Sequence, residues 1–397
     1  MSTINLSTSL FSTLTRHNPI DSLRIPLCSL CLCGSILLLL LLLLLTFAPA
    51  LSRAQEPPAY SVERLHIANY PVTLAFAPDG RLFYTEKAAG SVRVILPDGT
   101  LQPDPVLTLP VDSLVERGLL GLTFDPGYAE NGFIWIVRTA PGTARDYPTN
   151  QIIRFREQDG LGSDPQVMFS APITTGELHH NGGNLHFDSD GLLYASFGDY
   201  GLAANAQDLT TVPGKIHRFA VTEDGLIPAP GNPFPDSSIY AYGLRNPFDF
   251  VLDPFSDAIF ASENGPKCDD EIDLILPGRN YGWGPDYGDQ CFGLEPVPVP
   301  DYQPPLISFN PTLGMGGITV YDGTAFPGWT GDLFFCDWNG GVLHRVTLDD
   351  SRAAITQIEP VDLQGFFCRI DVVTGPDGAL YFADPMGIYR LRPISPG

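Results

Sequence analysis

Two adjacent histidines, His179 and His180, stand directly before Asn181 and the pair Gly182–Gly183, in a chain that has 7 histidines in all. Unperturbed imidazole titrates near about pH 6.5, so a loop histidine is a natural proton acceptor at neutral pH. The glycines bring no side chain and allow close approach of a ligand to the backbone. Downstream, Asp199 ends an alternating run, where its carboxylate could orient an imidazole or accept a hydroxyl. A third place is "GLRNP", in which the Arg245 guanidinium suits a developing negative charge on an oxygen and Asn246 offers an amide beside it. A fourth is "ENGPKCDDE" (263–271), rich in the carboxylates and carbonyls that a hard cation such as calcium takes. Its spacing is not that of an EF-hand. Glu116 and Arg117 in "ERGLLG" complete the set. Each has a plain reading too: a loop histidine bonded to a carbonyl, a turn arginine paired with an acid, an acidic surface loop.

Such side chains need a scaffold, and the chain repeats one. The segments are "FAPDGRLFYTE" (76–86), "FDPGYAENGFIWIV" (124–137), "FDSDGLLYASFGD" (187–199), "LDPFSDAIFASEN" (252–264), "FPGWTGDLFFCDW" (326–338) and "GPDGALYFADP" (375–385). Each has a turn rich in Pro, Asp and Gly, then an alternating apolar strand, and most end on or near an acid. Units of this kind without helical periodicity between them predict an all-β, six-bladed β-propeller of four-stranded antiparallel blades. The unequal spacing places long loops on one face, where a site is built. Residues 60–393 read as one domain.

The composition agrees: 40 Gly and 38 Pro suit short strands and many turns, and 44% hydrophobic residues supply a large core. A net charge of −23 argues against nucleic acid and acidic membranes as partners. Arg16 and Arg24 precede an apolar run with nine leucines, Leu37 to Leu45, and Ser52 and Ala54 stand at −3 and −1 of a cut before Gln55. This predicts a signal peptide over 1–54, with an uncleaved anchor as the other reading, and an extracytoplasmic propeller over 55–397. Loss of three Arg and one Asp would leave 19 basic against 44 acidic residues. Three of 7 cysteines lie in that leader. The other four suggest disulfides in an exported chain, and proximity in sequence favours Cys268–Cys291 and Cys336–Cys368. No two of them show the CxxC spacing of a zinc site.

The ordered set "ERGLLGLTFDP", "HHNGGNLHFDSDG", "YAYGLRNPFDF" and "ENGPKCDDEIDLILPGRNYGWG" resembles the glucose/sorbosone dehydrogenase family over roughly 115–390. Members are soluble six-bladed propellers that oxidise sugars with pyrroloquinoline quinone (PQQ) and Ca²⁺. The resemblance implies that His180 is the catalytic base, with the backbone of "HNGG" passing close to a flat ring. It implies that Asp199 is the acid beside it, orienting the ring or binding a sugar hydroxyl, and that Arg245 and Asn246 meet the cofactor. The carbonyls of Gly265 and Pro266 would hold calcium near Asp270, and Glu116 would stand near the sugar. An electron acceptor is also implied.

The chain departs from that pattern where the cofactor's three carboxylates need positive charge. Asn339, in "CDWNGGVLHRV", stands about where relatives carry a lysine, and their later pair of arginines is reduced to Arg369 in "FFCRIDVV". Arg245, Arg117 and Lys267 are the candidates to compensate, with Phe366, Phe367 and Trp338 as aromatic faces. The leading expectation is thus a PQQ- and calcium-dependent aldose dehydrogenase yielding a lactone. A non-catalytic extracytoplasmic carbohydrate- or ligand-binding propeller is the alternative, and a propeller lactonase is the weakest.

Overall fold

The computed structural model of the chain describes residues 60–288 and 290–394; the leader expected over 1–54 lies outside the described residues. Each repeated segment is the hairpin between the first two strands of a blade. Pro71–Phe76 turns into Leu82–Glu86, Leu119–Phe124 into Phe133–Ala140, and Leu185–Phe187 into Leu193–Phe197. Pro247–Leu252 turns into Ile259–Glu263, Met315–Val320 into Leu333–Asp337, and Val372–Thr374 into Leu380–Asp384. Further strands complete six antiparallel sheets, five of four strands and one, the third blade, of five. The expected six-bladed propeller is what the chain forms. The fifth strand is Ile239–Tyr242, which pairs with Lys215–Val221.

The first described strand, Tyr60–Ile67, pairs antiparallel with the last, Gly387–Pro393, from Tyr60 opposite Pro393 to Ile67 opposite Gly387. This closes the ring. Apolar side chains fill the spaces between blades. Trp135, Val137, Leu185, Leu193 and Phe197 join blades 2 and 3, and Tyr321, Phe334, Leu343, Val372 and Phe382 join blades 5 and 6. Polar ties add direction near the axis: Asp371 accepts the Leu74 N–H at 2.7 Å, and Asp249 accepts that of Ile318 at 2.8 Å. Burial, aided by repulsion from Asp249, pushes the Asp371 carboxyl well above its usual range.

In an antiparallel hairpin the start of the first strand and the end of the second share one end. Pro71 pairs with Glu86, Leu119 with Arg138, Pro247 with Glu263 and Met315 with Asp337. These positions crowd one mouth of the propeller, and the Asp-Gly turns of the repeats lie at the other. The pairing slips just inside that mouth, between Pro71 and Leu74, Leu119 and Leu122, Pro247 and Asp249, and Met315 and Ile318. Such irregularities re-aim side chains. The residues within them, Val72, Leu120, Phe248 and Gly316, line the cavity at that mouth.

Candidate active site

That cavity has a volume of about 460 Å³ and is lined by residues from strand ends and loops of several blades. His180 is reached through a loop that is pinned from two directions. Its own N–H donates to Glu116 Oε2 at 2.6 Å, and Gly182 N donates to Asn246 Oδ1 at 3.1 Å. His180 and Gly182 both hold positive φ, at 60° and 56°. A Cβ on Gly182 would stand 2.8 Å from the Gly198 nitrogen, and one on Gly198 would stand 2.2 Å from the His180 carbonyl oxygen. The glycines are therefore needed where the histidine loop lies on the end of its own blade's second strand. Packing of chain on chain accounts for them.

The His180 ring lines the cavity, and its Nδ1 lies 2.7 Å from Asp199 Oδ1. Asp199 is 1% exposed and does not line the cavity. Oδ1 also accepts the Gly201 N–H at 2.7 Å, and Oδ2 accepts the Trp283 indole N–H at 2.7 Å. Of the two parts expected for Asp199, orienting the imidazole fits this geometry and binding a sugar hydroxyl does not. His179 is exposed at the rim. An imidazole held at Nδ1 by a carboxylate keeps Nε2 as its proton-accepting nitrogen.

Arg245 and Asn246 line the same cavity. Their backbone N–H groups both donate to Glu263 Oε1, at 2.7 and 2.8 Å, and Arg245 Nη1 donates to the Asn264 carbonyl at 2.8 Å. Burial lowers the Arg245 pKa, while Glu263, Asp199, Glu116 and Asp270 oppose that shift. Glu116 lies in the cavity wall, and its Oε2 also takes a long 3.4 Å bond from Asn246 Nδ2.

The expected basic residues separate. Arg369 lines the cavity, its Nε bonded to the Trp338 carbonyl at 3.1 Å and its guanidinium over Phe367 at 4.3 Å. Arg117 does not: it is 4% exposed and spends its guanidinium on Asp112 and the Glu177 carbonyl. Asn339 is exposed and also absent from the cavity wall, its amide donating to the Thr312 carbonyl at 3.0 Å. Lys267 is likewise not in the wall. The cation that sequence reasoning missed is Lys87. It follows Glu86 at the end of the first blade's second strand, lines the cavity, bonds the Ser113 carbonyl at 3.1 Å and lies 5.2 Å from the Tyr70 ring centroid. Burial lowers its pKa, with Glu116 and Asp112 opposing. Tyr70 and Trp338, 6.1 Å apart, supply aromatic wall.

One neighbouring feature suits a hard cation. Gly265 lines the cavity, and among the described residues no hydrogen bond ends on the Gly265 or Pro266 carbonyl. Asp270, placed beside them, is occupied by the N–H groups of Gly265, Leu313 and Gly314 at 2.6–2.8 Å. Behind the Arg245 turn, Glu263 lies opposite Glu271 across the ladder, and Asp273 follows on the same face two residues on. Residues 264–269 of the acidic stretch form a loop, as the plain reading has it, though partly buried, and Asp270 opens the buried strand Asp270–Leu274. Glu263 Oε2 and both Asp273 carboxylate oxygens are buried without a partner. Burial, with repulsion first from Asp273, pushes Glu263 and Glu271 well up, and burial alone takes Asp273 to about 8.

Both expected disulfides are present. Cys268–Cys291 joins the Gly265–Pro266 loop to the long excursion after Leu274, and Cys336–Cys368 joins blades 5 and 6 behind Trp338 and Arg369. Among the described residues no helix is long and apolar enough to cross a membrane.

Residues 68–387 match the family model described as glucose/sorbosone dehydrogenase. Aldose sugar dehydrogenase YliI of Escherichia coli is 28% identical over 352 residues, covering 83% of this chain and 90% of that protein. The PQQ-bound form of aldose sugar dehydrogenase from Streptomyces coelicolor superposes with a TM-score of 0.69 at 26% identity, over 85% of this chain and 99% of that one. Mouse Hedgehog-interacting protein is 28% identical over 313 residues, covering 69% of this chain and 42% of its own length. With the blade order, the mouth-facing histidine and a family match running from the first blade to the last, the chain belongs to the glucose/sorbosone dehydrogenase family.

Proposed function

We propose that this propeller oxidises the anomeric carbon of an aldose to a lactone, with PQQ and calcium bound at the mouth, in an extracytoplasmic compartment. The single observation that carries the reading is His180: a ring in the wall of the cavity, held at Nδ1 by the buried Asp199. PQQ, when bound, supplies a quinone that accepts the hydride from C1. The cavity suits a flat, anionic group, with Lys87, Arg245 and Arg369 as cations and Tyr70 and Trp338 as aromatic surface. The Gly265 and Pro266 carbonyls would hold calcium beside it.

The chain's own part in the reaction is proton removal and placement. His180 Nε2 takes the proton of the C1 hydroxyl. Asp199 fixes the tautomer and bears against the imidazolium that forms, as a carboxylate partner does in hydrolytic triads. Arg245 keeps positive charge in a partly desolvated wall, where it acts more strongly than in water. Glu116 holds the His180 loop through its backbone.

A ligand-binding propeller without redox activity is the second reading. It is favoured by Glu116 and Asp270 in the cavity wall and by the absence of Asn339 from it. The experiment that separates the two adds PQQ and Ca²⁺ to the purified metal-free protein, then aldoses, and follows the quinone absorbance. Loss of the quinone band on adding an aldose supports the dehydrogenase. Failure to take up PQQ at any calcium concentration supports the binding protein.

A further inference from the structure

We propose that Trp283 is a positioning residue for catalysis, a single indole that fixes both the carboxylate behind His180 and the guanidinium of Arg245. The inference rests on the reading of His180 as the base.

Trp283 comes from a part of the chain with no counterpart in the other blades. After Asp270–Leu274 the fourth blade makes a long excursion, residues 275–306, before its last strand Ile307–Phe309. That excursion runs beside the segment leading to Arg245. Tyr242 N donates to the Arg279 carbonyl at 3.1 Å, Tyr281 N to that of Tyr242 at 2.9 Å, and Trp283 N to that of Gly243 at 2.8 Å. Gln207 Nε2 donates to the Trp283 carbonyl at 2.6 Å. The indole is thus carried to the level of the site on a backbone bonded from two sides.

Its Nε1–H donates to Asp199 Oδ2 at 2.7 Å, and the Arg245 guanidinium carbon stands 5.5 Å from its ring centroid. Trp283 does not line the cavity, so it acts through its neighbours. With Oδ2 held by the indole, Oδ1 is turned toward His180 Nδ1. The indole also takes up part of the carboxylate's charge, which moderates its pull on the imidazole. The Asp199 N–H donates to the Arg245 carbonyl at 2.8 Å, so the two groups share a backbone link as well as the indole.

The test needs neither cofactor nor sugar. The chain has 4 tryptophans, so the indole N–H signals of ¹⁵N-labelled protein are few enough to follow through a pH titration. In the native protein the Trp283 indole signal is expected to move with the same midpoint as the His180 ring. Trp283→Phe keeps a ring beside the guanidinium and removes the N–H. The His180 midpoint should then rise by about 0.5 pH unit or more, because the buried carboxylate keeps its charge with one donor fewer. In the loaded enzyme the acid limb of the pH–rate profile should shift the same way, with kcat down about tenfold and KM within about twofold. A Trp283 signal that stays flat while His180 titrates overturns the proposal, even if Trp283→Phe fails to fold. So does a folded Trp283→Phe whose His180 midpoint stays within about 0.1 unit of the native one. A native protein that binds PQQ and oxidises no aldose would sink the dehydrogenase reading and leave these titrations to decide the role of the indole.

Discussion

His180 and Asp199 belong to the same blade, on either side of its first hairpin, and their side chains meet at 2.7 Å, the ring in the cavity wall and the carboxylate behind it. The neighbouring histidine has no such support. His179 is exposed at the rim, its ring 6.2 Å from that of His180.

This difference predicts unequal effects from equal substitutions. In enzyme loaded with PQQ and calcium, His180→Gln should lower kcat about 10²–10⁴-fold, the usual range for a lost general base. His179→Gln should stay within about threefold of the native protein. Steady-state kinetics of both variants, with thermal melts to confirm the fold, make the comparison. Equal kcat values in His180→Gln and the native protein would remove His180 from the chemistry.

The propeller was legible because its hairpins repeat: turn residues and alternation recur locally, and local signals survive in sequence. The pairing of His180 with Asp199 was legible through the family resemblance, and the structure shows one hairpin bringing both to the mouth. Lys87 went unread although the repeat contains the signal. It stands just past the end of a second strand, as Asp199 and Trp338 do, and register alone would have aimed it at the mouth. Glu271 and Asp273 alternate in "DEIDL", the mark of a strand face, yet two carboxylates on one face read as solvent-exposed until the fold buries them. Trp283 had no such signal. Its position depends on an excursion that pairs with a distant segment, and long-range pairing leaves no periodicity to read.

Lys87 and Arg117 offer a second contrast. Lys87 lines the cavity, and Arg117 is committed to Asp112 and the Glu177 carbonyl. Lys87→Met should weaken PQQ binding by about tenfold or more, the loss of one charge-assisted contact of roughly 1.5–3 kcal/mol. Arg117→Met should cost thermal stability and leave PQQ affinity within about threefold once folded. Calorimetric or fluorescence titration with PQQ at fixed calcium measures both. Loss of affinity in the arginine variant alone would reverse the assignment.

The Cys268–Cys291 bond ties the excursion that carries Trp283 to the loop that carries Gly265 and Pro266. Replacing both cysteines with serine should lower stability by about 2–4 kcal/mol, through a less constrained unfolded chain. Calcium affinity should fall with it, because the loop loses an anchor. Denaturant unfolding with and without calcium tests this. A variant as stable as the native protein, with unchanged calcium affinity, would show that the bond does not order the loop.

The buried carboxylates predict how stability varies with pH. Glu263 and Glu271 are pushed well up by burial, and Asp273 is raised to about 8. In metal-free protein these groups hold protons in the folded state that the unfolded chain has released. Stability therefore falls as pH rises, from the unfolded carboxylate range near pH 4 up to about pH 8. The melting temperature of metal-free protein should therefore drop steadily from about pH 5 to about pH 8. Asp273→Asn should flatten part of that curve, because the substituted side chain has no proton to hold. Thermal melts of native protein and variant across that range, in chelator, make the comparison. Curves of equal slope would mean that Asp273 holds no extra proton in the folded protein.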